Sequence, residues 1–540
     1  MQEQITIILA ASNHMSDSTY VSQMIPIRGK PALAWVLESC NQGSNIVVLD
    51  KSNVTTIKYL TSCYPDAKLA LVDPNEYTNF SILSSLLCGL NSTDGNVKTV
   101  RIVLGDTLCD QSDIAPDTDL VLTSDNFSDP ERWCLVDCTS DGYIKTFFDK
   151  QRVDIVNKFA LVGVYQFTDC NLLKKCVNDA LESGTRNLSD VLIRYNKVHK
   201  IKVMPRENWF DLGHKSGIIN AQNYLFNSRS FNSLRADPVL GIMTKISPKK
   251  QKLYDEWMWC KNLPEKLQIL CPRPIDFYQD ENNAYMTMEL YGYPALSELF
   301  ILGNLSLEEW KLILERLFLV HHEIEQFTGD LDKSNFVDLY KNKTWARFDE
   351  LLAQNDYWKK LWELDELVIN GKTYKNIRLL RDKINALIDK ITENATVTVM
   401  HGDYCFSNIL FDTHSFICRI IDPRGRLKEQ TIYGDPRYDI AKLRHSVVGL
   451  YDFAVHGMIE LTQQDNVFEF NPGGPVFHAE LSRYFDNLTE KMGYNVNEIK
   501  LIEALLFASM IPLHNDSMKR QQAFYLKAVM KLNEVISGEK

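Results

Sequence analysis

His401-Gly402-Asp403-Tyr404-Cys405-Phe406-Ser407-Asn408, followed by Ile420-Ile421-Asp422, decides how this chain is read. Phosphoryl transfer needs a carboxylate to accept the proton of an attacking hydroxyl. It also needs an amide oxygen and a second carboxylate to hold Mg²⁺ against the nucleotide phosphates. Asp403 suits the base, and Asn408 reaches back across a tight loop as the first metal ligand. Asp422 follows the β-branched pair Ile420-Ile421, so its carboxylate is expected at a strand end facing the same site. His-Gly-Asp alone is a weak signal, and the Asn and Asp at these spacings make it specific.

At these residues the sequence resembles the aminoglycoside phosphotransferase and choline kinase family. Tyr433-Gly434-Asp435-Pro436-Arg437-Tyr438-Asp439-Ile440-Ala441 is similar to that family's Gly-Asp-Pro helix start. The resemblance implies that His401, Asp435 and Asp439 brace the catalytic loop. A helix N-terminus favours Asp in any case. Upstream, Gly241 to Ile246 alternates like a strand and carries Lys245, and Glu256 follows in a helical stretch, the order of the pair that grips ATP. Tyr285 to Glu289, followed by Gly292, resembles the strand and hinge that hold adenine, which makes Glu289 a candidate ATP contact. No glycine-rich phosphate loop is evident, and Asn227 to Ser233 is the stretch expected to serve in its place.

A phosphotransferase of this kind needs fewer than ~320 residues, which leaves room for a second domain in front of it. The chain has 540 residues. Ile5 to Ala11 is an apolar run too short for a signal peptide and reads as a buried first strand. Further strand patterns at Asn45 to Asp50, Leu69 to Val72 and Arg101 to Asp106 alternate with helical ones, as in a doubly wound, Rossmann-like α/β sheet. The expected domains are therefore 1–226, a small lobe at 227–294 and a mostly helical large lobe at 295–540, the last two forming a two-lobed, kinase-like α+β unit.

Several strand ends of the first domain resemble the sugar-phosphate nucleotidyltransferases. Leu9-Ala10-Ala11 and Pro26 to Pro31 are similar to the nucleotide loop and the segment after it, which implies nucleotide contacts at Ala10, Ala11, Ser12 and Lys30. Gly105-Asp106 and Trp209-Phe210-Asp211-Leu212-Gly213 resemble the two metal-binding carboxylate segments, and Phe147 to Lys150 a motif whose lysine meets the substrate phosphate. Attack of a monophosphate on a nucleoside triphosphate brings two anions together. A metal shared by Asp106 and Asp211, with Lys150 as a cation, fits that need. The chain departs from the family where cations grip the triphosphate. Ser12 to Ser16 and Ser22 stand there, with His14, Arg28 or Lys30 as the available substitutes.

With 45% hydrophobic and 24% charged residues, the chain is of ordinary globular composition. A net charge of −11 without a basic stripe argues against nucleic-acid binding. No apolar run approaches a membrane span, so a cytoplasmic location is expected. Twelve cysteines show no zinc spacing and read as scattered thiols. Lys341 to Thr396 is expected to be helical, with Trp345, Trp358 and Trp362 in the core rather than in an aromatic cage.

Together these resemblances imply a bifunctional enzyme that uses Mg²⁺, ATP and a second NTP. It would phosphorylate a sugar, polyol or amino alcohol and activate a phosphomonoester for capsule, surface polysaccharide or lipid decoration. Two other readings stand beside it. In one, the protein is a small-molecule kinase with a silent N-terminal domain. In the other, it is a protein kinase-like signalling protein with a docking module, although no Ala-Pro-Glu segment lies between Asp422 and Asp439.

Overall fold

A computed structural model describes residues 4–12, 19–40, 44–77, 79–93, 97–226 and 234–538. They divide into two compact units, Met1–Leu225 with Leu302–Asn304, and Phe226–Ile301 with Leu305–Lys540. His14 and the stretch Asn227 to Ser233 lie outside the described residues.

In the N-terminal unit, Gln4–Leu9 (β1), Ser44–Asp50 (β2), Lys68–Val72 (β3) and Thr99–Leu104 (β4) lie parallel in the order β3-β2-β1-β4. Ile7 of β1 sits opposite Ile46 and Ile102, and all three are buried. A strand covered on both faces has no polar side to alternate, which is why β1 is a continuous apolar run. Helices Ala32–Ser39 (α1), Val54–Cys63 (α2) and Ile82–Asn91 (α3) fall between these strands, and α3 adds Leu83, Leu86 and Leu90 to the core.

Beyond β4 the pattern changes. Thr107–Cys109 (β5), Leu120–Ser124 (β6), Cys134–Cys138 (β7), Ile144–Asp149 (β8), Phe159–Phe167 (β9), Lys202–Pro205 (β10) and Trp209–Asp211 (β11) follow. β9 runs antiparallel to β4, β6 and β7, and β8 is antiparallel to β7. The sheet is therefore mixed. β7 and β8 are joined by a turn closed from Thr139 to Tyr143, far too short for the helical crossover that a parallel pair needs. Cys170–Glu182 (α4), Leu188–Val198 (α5) and Lys215–Phe226 (α6) complete the unit.

At the end of β4 the backbone turns under the first strand. Gly105 N donates to Leu9 O at 2.8 Å. A Cβ at Gly105 would lie 2.7 Å from Ala10 Cβ and 2.9 Å from Leu9 O, so only glycine allows the approach. Gly105→Ala is expected to cost this unit about 1–3 kcal/mol through overpacking. Urea denaturation checks it, and an unchanged midpoint would contradict the packing argument.

The C-terminal unit opens with Leu234–Asp237 (β12), Ile242–Ser247 (β13), Pro274–Gln279 (β14) and Ala284–Glu289 (β15), an antiparallel sheet in the order β12-β13-β15-β14 with helix Lys250–Asn262 (α7). The β12–β13 hairpin turns through Pro238-Val239-Leu240, with Asp237 Oδ1 accepting from Val239 N and Leu240 N at 3.0 and 3.1 Å. Helices dominate the rest, including Leu307–Glu325 (α8) behind its Ser306/Glu309 capping box and Lys343–Gln354 (α9).

Within the stretch expected to be wholly helical, Glu366–Ile369 (β16) and Lys372–Lys375 (β17) form a hairpin. Asn370 and Gly371 occupy its turn at φ 49° and 74°. Asn-Gly is the preferred dipeptide there because both positions need the left-handed region. Further elements include the hairpin Ile409–Asp412 (β18) and Ile417–Ile420 (β19), helix Pro436–Val447 (α10), strands Glu460–Gln464 (β20) and Val467–Asn471 (β21), and helices Val496–Met510 (α11) and Met518–Gly538 (α12). Trp345 and Trp358 are buried.

Candidate functional site

The loop between Met400 and β18 carries Asp403 into a cavity of about 540 Å³, lined also by Asn408, Asp422, Arg424, Lys343, Tyr438 and Lys442. The loop is held from below. Asp439, buried in the first turn of α10, accepts from His401 N and Gly402 N, both at 2.7 Å. Burial pushes its carboxyl up to about 7, against the lowering effect of these two N–H groups. Asp435 caps α10, its Oδ1 accepting from Arg437 N at 3.0 Å and its Oδ2 from Tyr340 Oη at 2.9 Å. His401 is fully buried against Trp259, and burial pulls its imidazole down to about 4, so the ring supports the loop as a neutral group.

Asp439→Ala strips the acceptor from two buried N–H groups. Each unpaired group costs about 1–3 kcal/mol. The expected result is faster amide exchange at His401 and Gly402, with Asp439→Asn intermediate because it keeps one oxygen. Unchanged exchange in the Ala variant would contradict this role.

Asp403 itself is gripped at both oxygens. Oδ1 pairs with Lys442 Nζ at 2.8 Å, and Oδ2 accepts from Asn408 Nδ2 at 2.8 Å. Burial acts to raise this carboxyl, but the Lys442 ammonium outweighs it and the group is pulled down to about 2. Asn408 Nδ2 also donates to Asp403 O at 3.0 Å, which points its side-chain oxygen away from the base. Asp422 follows β19 with φ 58°, a left-handed conformation that turns its side chain into the same cavity. Lys245 of β13 forms ion pairs with both Glu256 of α7 and Asp422. Burial would lower the Lys245 ammonium, and the two carboxylates more than reverse that. Glu289 stands apart from this cavity, accepting from Arg273 N at 3.1 Å and Tyr291 Oη at 3.2 Å.

Lys442, Lys343, Arg424 and Tyr438 were not picked out from the sequence. Lys442 lies one helical turn beyond Asp439, and that spacing is the signal that placed it on the loop side of α10. Asn408 and Asp422 offer only oxygen donors. That donor set suits Mg²⁺, which keeps waters and nucleotide oxygens for its remaining positions.

In the N-terminal unit, a cavity of about 650 Å³ is lined by Asp106, Asp211, Lys150, Trp133, Trp209 and His214, among others. β11 pairs with β5 so that Asp211 lies opposite Thr107, and Leu212 N donates to Asp106 O at 2.7 Å. The two carboxylates converge. A Cβ at Gly213 would lie 2.8 Å from Asp106 Oδ2 and 3.1 Å from Asp211 Oδ1. Asp211 Oδ1 accepts from Gly213 N at 3.1 Å, and Oδ2 contacts His214 Nδ1 at 2.5 Å. Lys150, at φ 52°, hangs its backbone on Trp133 O at 2.9 Å.

A second, narrower cleft is lined by Ala10, Ser12, Ser22, Gln23, Gly105, Asp106 and Gly213. Gln23, missed in the sequence, donates from Nε2 to Ala10 O at 2.8 Å and Ser12 O at 2.6 Å. Gln23 is buried, and no local sequence signal announced it. Ala11 is buried behind this loop. Lys30 pairs with Glu38 at 2.8 Å and lies over the Trp35 ring, and it does not line the cleft. Among the described residues no group of three or more His, Cys, Asp or Glu is placed to hold a metal ion. No helix among them is long and apolar enough to cross a membrane.

Comparison with known proteins finds one family match and several similar solved structures. Residues 242–455 match the model of the APH phosphotransferase enzyme family. No curated protein matches the chain. Among solved structures, the chain is similar to a protein assigned as a glucose-1-phosphate thymidylyltransferase from Bacillus anthracis, in complex with a sucrose. That match has 16% identity and a TM-score of 0.36, and covers 42% of this chain and 96% of that one. An aminoglycoside-3'-phosphotransferase of type VIII matches at 15% identity and a TM-score of 0.30, over 50% of this chain and 84% of that one. A thermostable mutant of an aminoglycoside phosphotransferase, in ternary complex with ADP and hygromycin B, matches at 11% identity and a TM-score of 0.35, over 55% and 86%. Asp403, its loop, Asp422 and α10 all fall inside residues 242–455, the part of the C-terminal unit that matches the model of the phosphotransferase enzyme family.

Proposed function

We propose that the protein phosphorylates a small hydroxylated metabolite with ATP in its C-terminal unit. In its N-terminal unit it couples a phosphomonoester to a nucleoside triphosphate with release of pyrophosphate. The observation that carries the first half is Asp403, held at one oxygen by Lys442 and at the other by Asn408 in the cavity that also holds Asp422. The acceptor hydroxyl oxygen bonds to the γ-phosphorus of ATP, the bond to ADP breaks, and the proton passes to Asp403. A carboxylate this acidic orients the hydroxyl first and takes the proton late, which suits a loose transition state. Lys245 binds ATP phosphates, and Asn408 and Asp422 would hold Mg²⁺. When bound, that ion supplies charge neutralisation on the phosphates.

Support for the second half is the convergence of Asp106 and Asp211 beside Lys150. The carboxylate pair would hold the metal that steadies the triphosphate, and Lys150 would bind the incoming monophosphate. Such a chain makes an NDP-activated building block, for which surface polysaccharide or lipid decoration is the use. Free thiols throughout suit the reducing cytoplasm.

A second reading has one observation in its favour. Lys30, a candidate triphosphate cation, is engaged by Glu38, as a binding domain without turnover would allow. Product analysis of the full chain with ATP, each common NTP and a panel of sugars, polyols and sugar phosphates tests both. Phosphorylated acceptor without any nucleotide-linked product would favour the second reading, and no ADP release with any acceptor would count against the kinase.

A further inference from the structure

The cavity at Asp403 is rich in cations that are not all balanced. Lys442 is balanced by Asp403, Lys245 by Glu256 and Asp422, and Arg426 by Asp255 at 2.6 Å. Two are left over. Lys343 of α9 and Arg424, two residues past Asp422, have no carboxylate within ion-pair distance among the described residues. Both donate instead to one buried, uncharged oxygen. Lys343 Nζ reaches Tyr438 Oη at 3.2 Å and Arg424 Nη2 reaches it at 3.0 Å, with the guanidinium 5.1 Å from the ring centre. Both side chains are half-buried, and cations withdrawn from water in proteins are almost always paired with an anion, because desolvation otherwise disfavours the charge.

The place of this pair matters. A Cβ at Gly402 would lie 2.7 Å from Arg424 Cβ, so Arg424 packs directly on the loop that presents Asp403. Tyr438 and Lys442 share a face of α10 one turn apart, which sets the Lys343–Tyr438–Arg424 cluster next to the ion pair on the base. Another wall, formed by Leu506, Ser509, Met510 and Leu513, is uncharged. The cavity therefore offers a charged corner beside the base and an uncharged wall.

We propose that the acceptor phosphorylated at Asp403 is itself an anion, a hydroxylated compound whose carboxylate or phosphate is bound by Lys343 and Arg424 at Tyr438. This rests on the kinase reading of Asp403 and gives that site its substrate class. Burial pulls the Lys343 ammonium down to about 8, and Arg424 and Lys343 together outweigh the burial that would raise Tyr438, leaving that phenol near about 8. Both departures mark a corner short of negative charge, which an anionic ligand supplies. An aromatic-lined site for a quaternary amine would need the opposite electrostatics.

The test uses the full chain saturated with Mg·ADP and titrated with sodium sulfate at constant ionic strength, followed by thermal unfolding. Sulfate is expected to give a saturable rise in melting temperature. Its apparent Kd should increase about tenfold or more in Lys343→Met and in Arg424→Gln, the loss expected for one charge-assisted contact. The Kd of Mg·ADP should change less than about twofold, and with two variants the result does not hang on the folding of one.

Three outcomes would overturn the proposal: no saturable sulfate effect, the same sulfate Kd in wild type and both variants, or a parallel loss of Mg·ADP affinity that assigns the cations to the nucleotide. Failure of the wild type to bind Mg·ADP would instead be a failure of the kinase reading, and is read separately. Acceptor-dependent ADP release with glucose, glucuronate and glucose 6-phosphate, and with glycerol, glycerate and glycerol 3-phosphate, then distinguishes the anion. Preference for the acid assigns a carboxylate and preference for the ester a phosphate, whereas preference for the neutral member also overturns the proposal.

Discussion

Asp403→Asn is expected to lower the rate of acceptor phosphorylation by roughly 10²–10⁴-fold, the range for loss of a positioned general base. The amide keeps the shape of the side chain and loses the charge that Lys442 pairs with at 2.8 Å. A second consequence follows for stability. Lys442 is only 9% exposed, so removing its partner leaves a buried ammonium without an anion. For a fully buried pair that costs about 3–5 kcal/mol, and because Asp403 is 39% exposed, about 1–3 kcal/mol is expected here. The double variant Asp403→Asn/Lys442→Met should recover most of the stability and none of the activity. ADP release and urea denaturation on the full chain check both parts. If the double variant regained activity, Asp403 would be a structural partner of Lys442 and not a base.

Asp211→Asn and Asp106→Asn are each expected to abolish metal-dependent nucleotide binding in the N-terminal unit, with any nucleotidyl transfer falling by at least roughly 10²-fold. The two carboxylates meet at Gly213, so removing either one halves the charge available to a single ion. To separate this site from the kinase, the measurement uses a full chain carrying Asp422→Ala. Titration calorimetry with Mg²⁺ and CTP, UTP, GTP, ATP or dTTP should then show selective binding of one nucleotide that both Asn variants lose. Nucleotide binding unaffected by either variant would place the nucleotide elsewhere and favour a domain without metal chemistry. Acceptor phosphorylation, measured without Asp422→Ala, should be untouched by Asp106→Asn, and a parallel loss there would sink the two-site picture.

The local features that announced this architecture are those whose chemistry lies along the chain. Ile5 to Ala11 reads as a strand covered on both faces because its apolar run is unbroken, and its strand, β1, lies in the interior of the sheet. Asn408 and Asp422 were legible beside Asp403 because the loop and hairpin that carry them are short and sequential. The Glu366–Lys375 hairpin was legible in its Asn370-Gly371 turn but was outweighed by the helical spacing around it, which shows how a two-residue backbone signal is lost in a longer pattern. The antiparallel strands after β4 were not legible as such, since a strand's direction depends on the length of its connection and not on its own residues.

By itself, then, the sequence determined the order of the motifs and of the carboxylates they carry, because each follows from residue type and short-range spacing. Only the tertiary structure decided what surrounds those groups. Lys442 on Asp403, Gln23 under the loop at residues 10–12, and Lys343 and Arg424 at Tyr438 join residues 11 to 95 positions apart. Such pairs arise where helices and loops from distant parts of the chain are packed together and water is excluded. Charge balance in that setting depends on which groups share a cavity, which no local pattern records.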